Sequence, residues 1–130
     1  AGHDGDRREA QEQGAEQVYA AMNAQASAPQ VFTRECHWFV NGQDVADCVS
    51  PFGGPALSAI GEVRDREVLA VDEARGLIVY RTFEDLPATS SGYPLTYQVV
   101  ELFRFDRGQI AEIQAWTSEL PYGMKPFDRN

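Results

Sequence analysis

The sequence predicts an α+β domain, with helices packed on one face of a curved antiparallel sheet. Three observations predict it. Apolar residues recur at helical spacing near the N-terminus, the period becomes that of strands from Glu62 onward, and turn-forming residues separate the strand segments. A length of 130 residues suits one domain. Residues 1–6 read as a flexible tail and residues 7–130 as the folded unit.

Residues 7–25 read as a helix, because Ala15, Val18, Tyr19 and Met22 share a stripe while Glu9, Glu12, Glu16 and Gln17 lie elsewhere on the wheel. Gly14 weakens it locally, and Ala28-Pro29 marks the exit. Val31–Val40 is rich in aromatic and branched residues and ends at the turn signal Asn41-Gly42. Residues 43–55 read as loop, punctuated by Pro51, Gly53, Gly54 and Pro55, and a short helix over Ala56–Ile60 follows the proline start. Strands Val63–Val71 and Leu77–Glu84 flank a turn at Asp72–Gly76, and residues 85–92 form a polar loop. Tyr93–Phe105 and Gln109–Ser118 then form a hairpin over Asp106-Arg107-Gly108, spelled as a three-residue loop with glycine in the left-handed position.

Charge and motifs exclude several classes. Eleven Lys and Arg against twenty Asp and Glu give a net charge of -9, the wrong sign for a phosphate backbone. No apolar run approaches the ~20 residues of a membrane helix, so neither nucleic acid nor membrane is an expected partner. The chain lacks GxGxxG, P-loop, CxxC, HExxH and GxSxG patterns, and no cofactor is expected. Ala1-Gly2-His3 has the donor set of a square-planar Cu(II) or Ni(II) site. It reads first as an unstructured tail, and no metal is expected.

The strand before the last hairpin is the most informative. Its odd positions are Leu95, Tyr97, Val99, Glu101, Phe103 and Phe105, an apolar face broken by one carboxylate. The expected loop pairs Phe105 with Gln109 and so Glu101 with Ile113, beside Ala111, Ala115 and Thr117. Small residues next to large aromatics leave room for a cavity. A carboxylate there must be paired or protonated. Either Glu101 has a raised pKa and moves a proton for a bound ligand, or it meets Arg34, Arg81 or a tyrosine and ties the sheet to a helix.

His37 is a proton shuttle at neutral pH if it faces the cavity and ordinary surface if it does not. Cys36 faces the opposite way from His37, so the two do not form a nucleophile pair. Tyr19, Tyr80 and Tyr97 can each donate a phenolic hydrogen bond. Trp38 and Trp116 read as core or cavity wall, with Phe103 and Ile113. Arg104 and Glu112 read as a surface ion pair of little energetic weight. Cys36 and Cys48, twelve apart across NGQDVAD, are either a disulfide in an oxidising compartment or two buried thiols.

The element order and the stretch VVELFRFDRGQIAEIQAW resemble the SnoaL-like, nuclear-transport-factor-like superfamily of cone-shaped α+β domains. More narrowly, the chain resembles a domain family of unknown function found in secreted fungal and bacterial proteins. Its matching pieces are Cys36, Asn41-Gly42, Cys48, VRDREVLAVDEARGLIV, Asp85-Leu86-Pro87, ELFRFDRGQIAEIQA and Pro121-Tyr122-Gly123-Met124. The resemblance implies a sheet wrapped around a deep apolar pocket, a Cys36–Cys48 bridge, a secreted or periplasmic location and a homodimer. It places Glu101 where steroid isomerases carry a protonated aspartate, a case known for holding an oxyanion. The general base of those enzymes falls near Val40 or Asn41, where no carboxylate stands, and their oxyanion tyrosine falls near Val18, one place from Tyr19. Steroid isomerisation by that arrangement is therefore not expected.

The expected function is a cofactor-independent acid–base enzyme of isomerase, dehydratase or lyase type, acting on a small apolar or aromatic substrate. Glu101, His37 and Tyr19 are its candidate catalytic residues. Tyr97, Phe103, Trp38, Tyr80, Trp116 and Ile113 are its candidate substrate wall. The alternative is a small-molecule-binding or dimerisation domain without catalysis.

Overall fold

A computed structural model describes residues 4–127. The chain order is α1 (Asp4–Ala24), β1 (Phe32–Val40), β2 (Gln43–Asp47), α2 (Pro55–Ser58), β3 (Glu62–Asp72), β4 (Leu77–Leu86), β5 (Leu95–Asp106) and β6 (Gln109–Leu120). The six strands form one sheet in the order β2-β1-β6-β5-β4-β3. Every pair is antiparallel except β1 with β6. The square-planar metal reading at Ala1-Gly2-His3 lies outside the described residues.

The helix begins at Asp4, inside the segment read as tail. Its stripe of Ala15, Val18, Tyr19 and Met22 is buried against the concave face of the sheet. Gly14 has a packing reason: a Cβ there would lie 3.1 Å from the Phe105 ring. The end of the helix is tied to β3 by Asn23, whose carboxamide accepts from the Val63 amide at 2.7 Å and donates to the Val63 carbonyl at 3.0 Å. The Arg66 guanidinium pairs with Glu16 at 2.8 Å and lies 5.6 Å from the Tyr19 ring centroid.

Residues 43–47, read as loop, form the edge strand β2. Asn41 and Gly42 have φ of 50° and 84°, the left-handed pair that a tight hairpin turn needs. That turn fixes β2 against β1 although the strand itself is short and largely exposed. Asn41 also anchors to β6, donating from Nδ2 to Thr117 Oγ1 at 3.0 Å and accepting from the Thr117 amide at 3.0 Å.

The β5–β6 hairpin corrects the expected register. Its loop is the two-residue Arg107-Gly108, with φ of 53° and 82°, so Asp106 pairs with Gln109 and Phe105 with Ile110. A bulge at Ala111 then shifts the ladder, and Glu101 faces Ala115 instead of Ile113. The turn and the bulge together move the register by two, which leaves Ile113, Ala115 and Thr117 on their expected face, while before the bulge Ile110 takes the inward place expected of Gln109. Bulges and register shifts in β1, β2, β3 and β6 also bend the sheet into an open, curved wall.

At the far end of β4 and β5, Arg64 makes two bonds to the Asp85 carboxylate, 2.7 and 2.8 Å, and a third to the Met124 carbonyl at 2.8 Å. Thr96 donates to Asp85 and accepts from the Gly123 amide. This clasp gives Asp85 and the Pro121–Met124 segment a shared structural role. Arg104 and Glu112 do pair on the outer face, at 3.4 Å. Cys36 and Cys48 form a disulfide, their Cα atoms 5.4 Å apart. No described helix is long and apolar enough to cross a membrane.

Candidate functional site

The concave face of the sheet, α2 and the loop before it enclose a cavity of about 370 Å³. Trp38, Val40, Met22, Ile60 and Val99 make much of its wall, and Ala115 lies beside Glu101 at its base. An alanine at that register position leaves space that the expected Ile113 would fill. Two carboxyls line this apolar hollow, Glu101 and Glu84. Among the residues lining it there is no Lys, Arg or His.

Glu101 is almost fully buried, with 2% of its surface exposed. It arrives there because the odd face of β5 points inward, as the alternation of Tyr97, Val99, Glu101 and Phe103 indicates. Its partner is Tyr19, whose Oη donates to Glu101 Oε1 at 2.8 Å. Arg81 instead pairs with Glu67 at 2.7 Å, and Arg34 is exposed. Burial raises the Glu101 carboxyl to about 7, and the hydrogen bond from Tyr19 keeps it from rising further. Burial, followed by the charge of Glu101, pushes the Tyr19 phenol well above its ordinary range. Tyr19 is therefore a donor and not a base at neutral pH.

Tyr19 is held by edge-to-face contacts with Tyr80 and Phe103, at centroid distances of 5.4 and 5.7 Å. These two rings and Ile113 are buried behind the cavity and support Tyr19 and Glu101 without lining the hollow. Trp38 and Tyr97 do line it. Tyr80, Phe103 and Ile113 are thus support for the site and not its wall, and His37 and Trp116 lie on the other face of the sheet. His37 is exposed on the outer face and bonds Asp44 at 3.0 Å, because Cys36 and Trp38 take the inward positions of β1. Trp116 is 46% exposed on the convex face opposite Val100, because Ala115 and Thr117 take the inward positions of β6.

Glu84 also lines the hollow and is absent from the candidates that the sequence offers. It shares the inward stripe of β4 with Ile78, Tyr80 and Thr82 and sits opposite Tyr97 in the ladder. Period-two counting from Tyr80 would have found it. Protein surrounds its carboxyl while the side chain keeps some exposure toward the hollow. Burial, and then the charge on Glu101, raise it to about 8. No hydrogen bond from a described residue offsets that rise. The two acids thus share less than one full negative charge at pH 7. Among the described residues, no three His, Cys, Asp or Glu side chains cluster as a metal site.

This curved sheet with a helix over a pocket is the SnoaL-like, nuclear-transport-factor-like fold. A candidate polyketide cyclase from Xanthomonas campestris pv. campestris superposes with TM-score 0.68 at 15% identity, over 86% of this chain and 93% of that one. SalBIII, an epoxide hydrolase/cyclase-like enzyme of pyran ring formation in the polyether salinomycin, superposes with TM-score 0.64 at 12% identity, over 85% and 92%. A nuclear-transport-factor-like protein of unknown function from Cytophaga hutchinsonii gives TM-score 0.57 at 14% identity, over 83% and 99%. The chain belongs to the family described as a domain of unknown function (DUF8021), whose model matches residues 4–117. No curated protein sequence matches it.

Proposed function

We propose that the protein is a cofactor-independent acid–base enzyme of isomerase, dehydratase or lyase type, acting on a small, largely apolar or aromatic substrate. One observation carries the reading: Glu101 is buried at the base of an apolar cavity with a pKa near 7 and is oriented by Tyr19. A base that is half ionised at working pH is well matched to proton transfer. The cavity lies near the small end of the roughly 300–1,000 Å³ range of ligand pockets. SalBIII and the cyclases share the fold, which supports a pocket and leaves the reaction to the residues.

In the proposed step, the Glu101 carboxylate takes a proton from carbon next to a carbonyl. The C–H electron pair moves into the new carbon–carbon double bond and charge passes to the carbonyl oxygen. Tyr19 keeps the carboxylate oriented throughout. The experiment is deuterium wash-in from D₂O into 2-tetralone and related small aryl ketones, followed by mass spectrometry. The wild type accelerates exchange, and Glu101→Gln lowers that acceleration at least about 100-fold. No acceleration by the wild type across the set refutes the reading.

The Tyr19–Glu101 bond also ties α1 to β5, which favours the second reading, a binding or dimerisation domain without catalysis. In that case Glu101→Gln changes stability or ligand affinity and wild type and variant exchange deuterium alike. The disulfide supports an oxidising, secreted or periplasmic location. The convex face around Trp116 and Val100 is the surface proposed for a homodimer, which sedimentation velocity checks.

A further inference from the structure

We propose that Glu84 is the second functional acid of the cavity, donating its carboxyl hydrogen to the acceptor oxygen of a neutral, largely apolar substrate whose reacting carbon lies at Glu101. The proposal rests on the proton-transfer reading above and adds the substrate class: an uncharged ketone, aldehyde or similar oxygenated molecule.

Geometry comes first. Glu84 and Glu101 line the same hollow from neighbouring strands, Glu84 opposite Tyr97 and Glu101 opposite Tyr80, so the two acids lie four residues apart along the ladder. Both side chains open on the one hollow, so a molecule bound there can meet Glu84 with its oxygen and Glu101 with a carbon. Glu101 already has Tyr19 as its partner, whereas no described residue hydrogen-bonds the Glu84 carboxyl. Thr82, buried between Tyr80 and Glu84 on this stripe, also has a hydroxyl without a partner among the described residues.

Charge selects the protonated form. The titratable groups toward Glu84 are Glu101 and Tyr97 of β5 and Tyr19 of α1. Arg64 and Asp85, close in sequence and register, pair with each other on the opposite face, where Arg64 lies over Phe83. The parts of β1, β2, α2 and β6 that reach the cavity contribute no charged side chain. Glu84 thus faces one carboxylate and apolar walls, and keeps its proton at neutral pH. A carboxylic acid donates where a carboxylate only accepts. A substrate anion would meet two acids and no cation. A substrate ammonium would lose its own hydration on entering the hollow, a cost that pairing in such a site often fails to recover.

In the reaction, Glu84 bonds the oxygen that becomes negative while Glu101 holds the abstracted proton. The same proton then returns from Glu101 to another carbon of the conjugated system, and the charge on oxygen collapses back to a carbonyl. Atoms and charge balance without a further reactant.

The test compares three naphthalene probes of matched size: 2-acetylnaphthalene, 1-(2-naphthyl)ethylamine and 2-naphthoic acid. Binding is measured by calorimetry and by quenching of tryptophan fluorescence, since Trp38 lines the cavity. The ketone is expected to bind in preference to both charged probes. Its affinity falls about tenfold between pH 7 and pH 9, as a group titrating near 8 loses its proton. Glu84→Gln keeps a donor, so it retains ketone binding and flattens this pH dependence. Glu84→Leu weakens the ketone about three- to tenfold at pH 7. In Glu101→Gln the fall moves to lower pH, because the charge that raises Glu84 is gone.

Tighter binding of the amine, strengthening as pH rises and lost in Glu84→Gln, overturns the proposal in favour of a cationic ligand. Ketone binding that ignores both pH and Glu84→Leu overturns it while leaving the Glu101 reading intact. Failure of all three probes to bind overturns the proposal, and the Glu101 reading falls with it only if the wild type also fails to accelerate deuterium exchange.

Discussion

Glu101→Gln is expected to make the protein more stable at pH 8 while removing the proton transfer proposed for this carboxyl. The Glu101 carboxyl has a pKa of about 7 in the folded chain, against an ordinary value of 4.5. Below pH 4.5 both folded and unfolded chains carry the proton. Between 4.5 and 7 the folded chain keeps it and the unfolded chain releases it, so stability falls as pH rises through that window. The window spans about two and a half pH units, worth about 3 kcal/mol at full size. Glutamine has nearly the same shape, still accepts from the Tyr19 hydroxyl, and carries no charge to desolvate.

Relative to the wild type, the variant is therefore expected to gain about 2–3 kcal/mol between pH 5 and pH 8. Glu84 titrates in both proteins, and losing the Glu101 charge also lowers its pKa, so the second acid adds to the gain. The assay is urea unfolding at pH 5, 6.5 and 8, followed by circular dichroism with the disulfide intact and extrapolated to water. A stability difference that is the same within about 0.5 kcal/mol at all three pH values would refute the reasoning, because it would mean that Glu101 pays no charge penalty on burial.

Other substitutions probe the neighbouring parts. Tyr19→Phe removes the hydroxyl that holds Glu101, which raises the Glu101 pKa further and costs about 2 kcal/mol at neutral pH in the same urea assay. Reduction of Cys36–Cys48, or Cys36→Ala with Cys48→Ala, costs about 3 kcal/mol by lengthening the free unfolded chain, read as a lower urea midpoint. Ala115→Phe places a ring opposite Glu101 and is expected to abolish 2-acetylnaphthalene binding by calorimetry, with the thermal midpoint little changed because the ring enters the hollow. His37→Ala is expected to leave deuterium exchange unchanged, since this exposed ring pairs with Asp44 away from the cavity.

The sequence by itself determined the layers and the central acid. Helical spacing put Tyr19 and Met22 on one stripe of α1, and strict alternation along β5 turned Glu101 toward the core. Both signals are local, because the side-chain period of an element is set by its own backbone. The tertiary structure decided what alternation leaves open. On β1, either parity offered an aromatic inward face, and the disulfide and Trp38 took it, leaving His37 outside. On β6, which residue stands opposite Glu101 depended on a two-residue turn and a bulge at Ala111, which set the register that alternation alone does not fix. Glu84 became part of the site only when β4 was aligned beside β5 and the curved sheet closed a hollow around both acids. Local chemistry specifies which way a side chain points along its own strand; which partner it finds there depends on register and curvature, and those are properties of the assembled sheet.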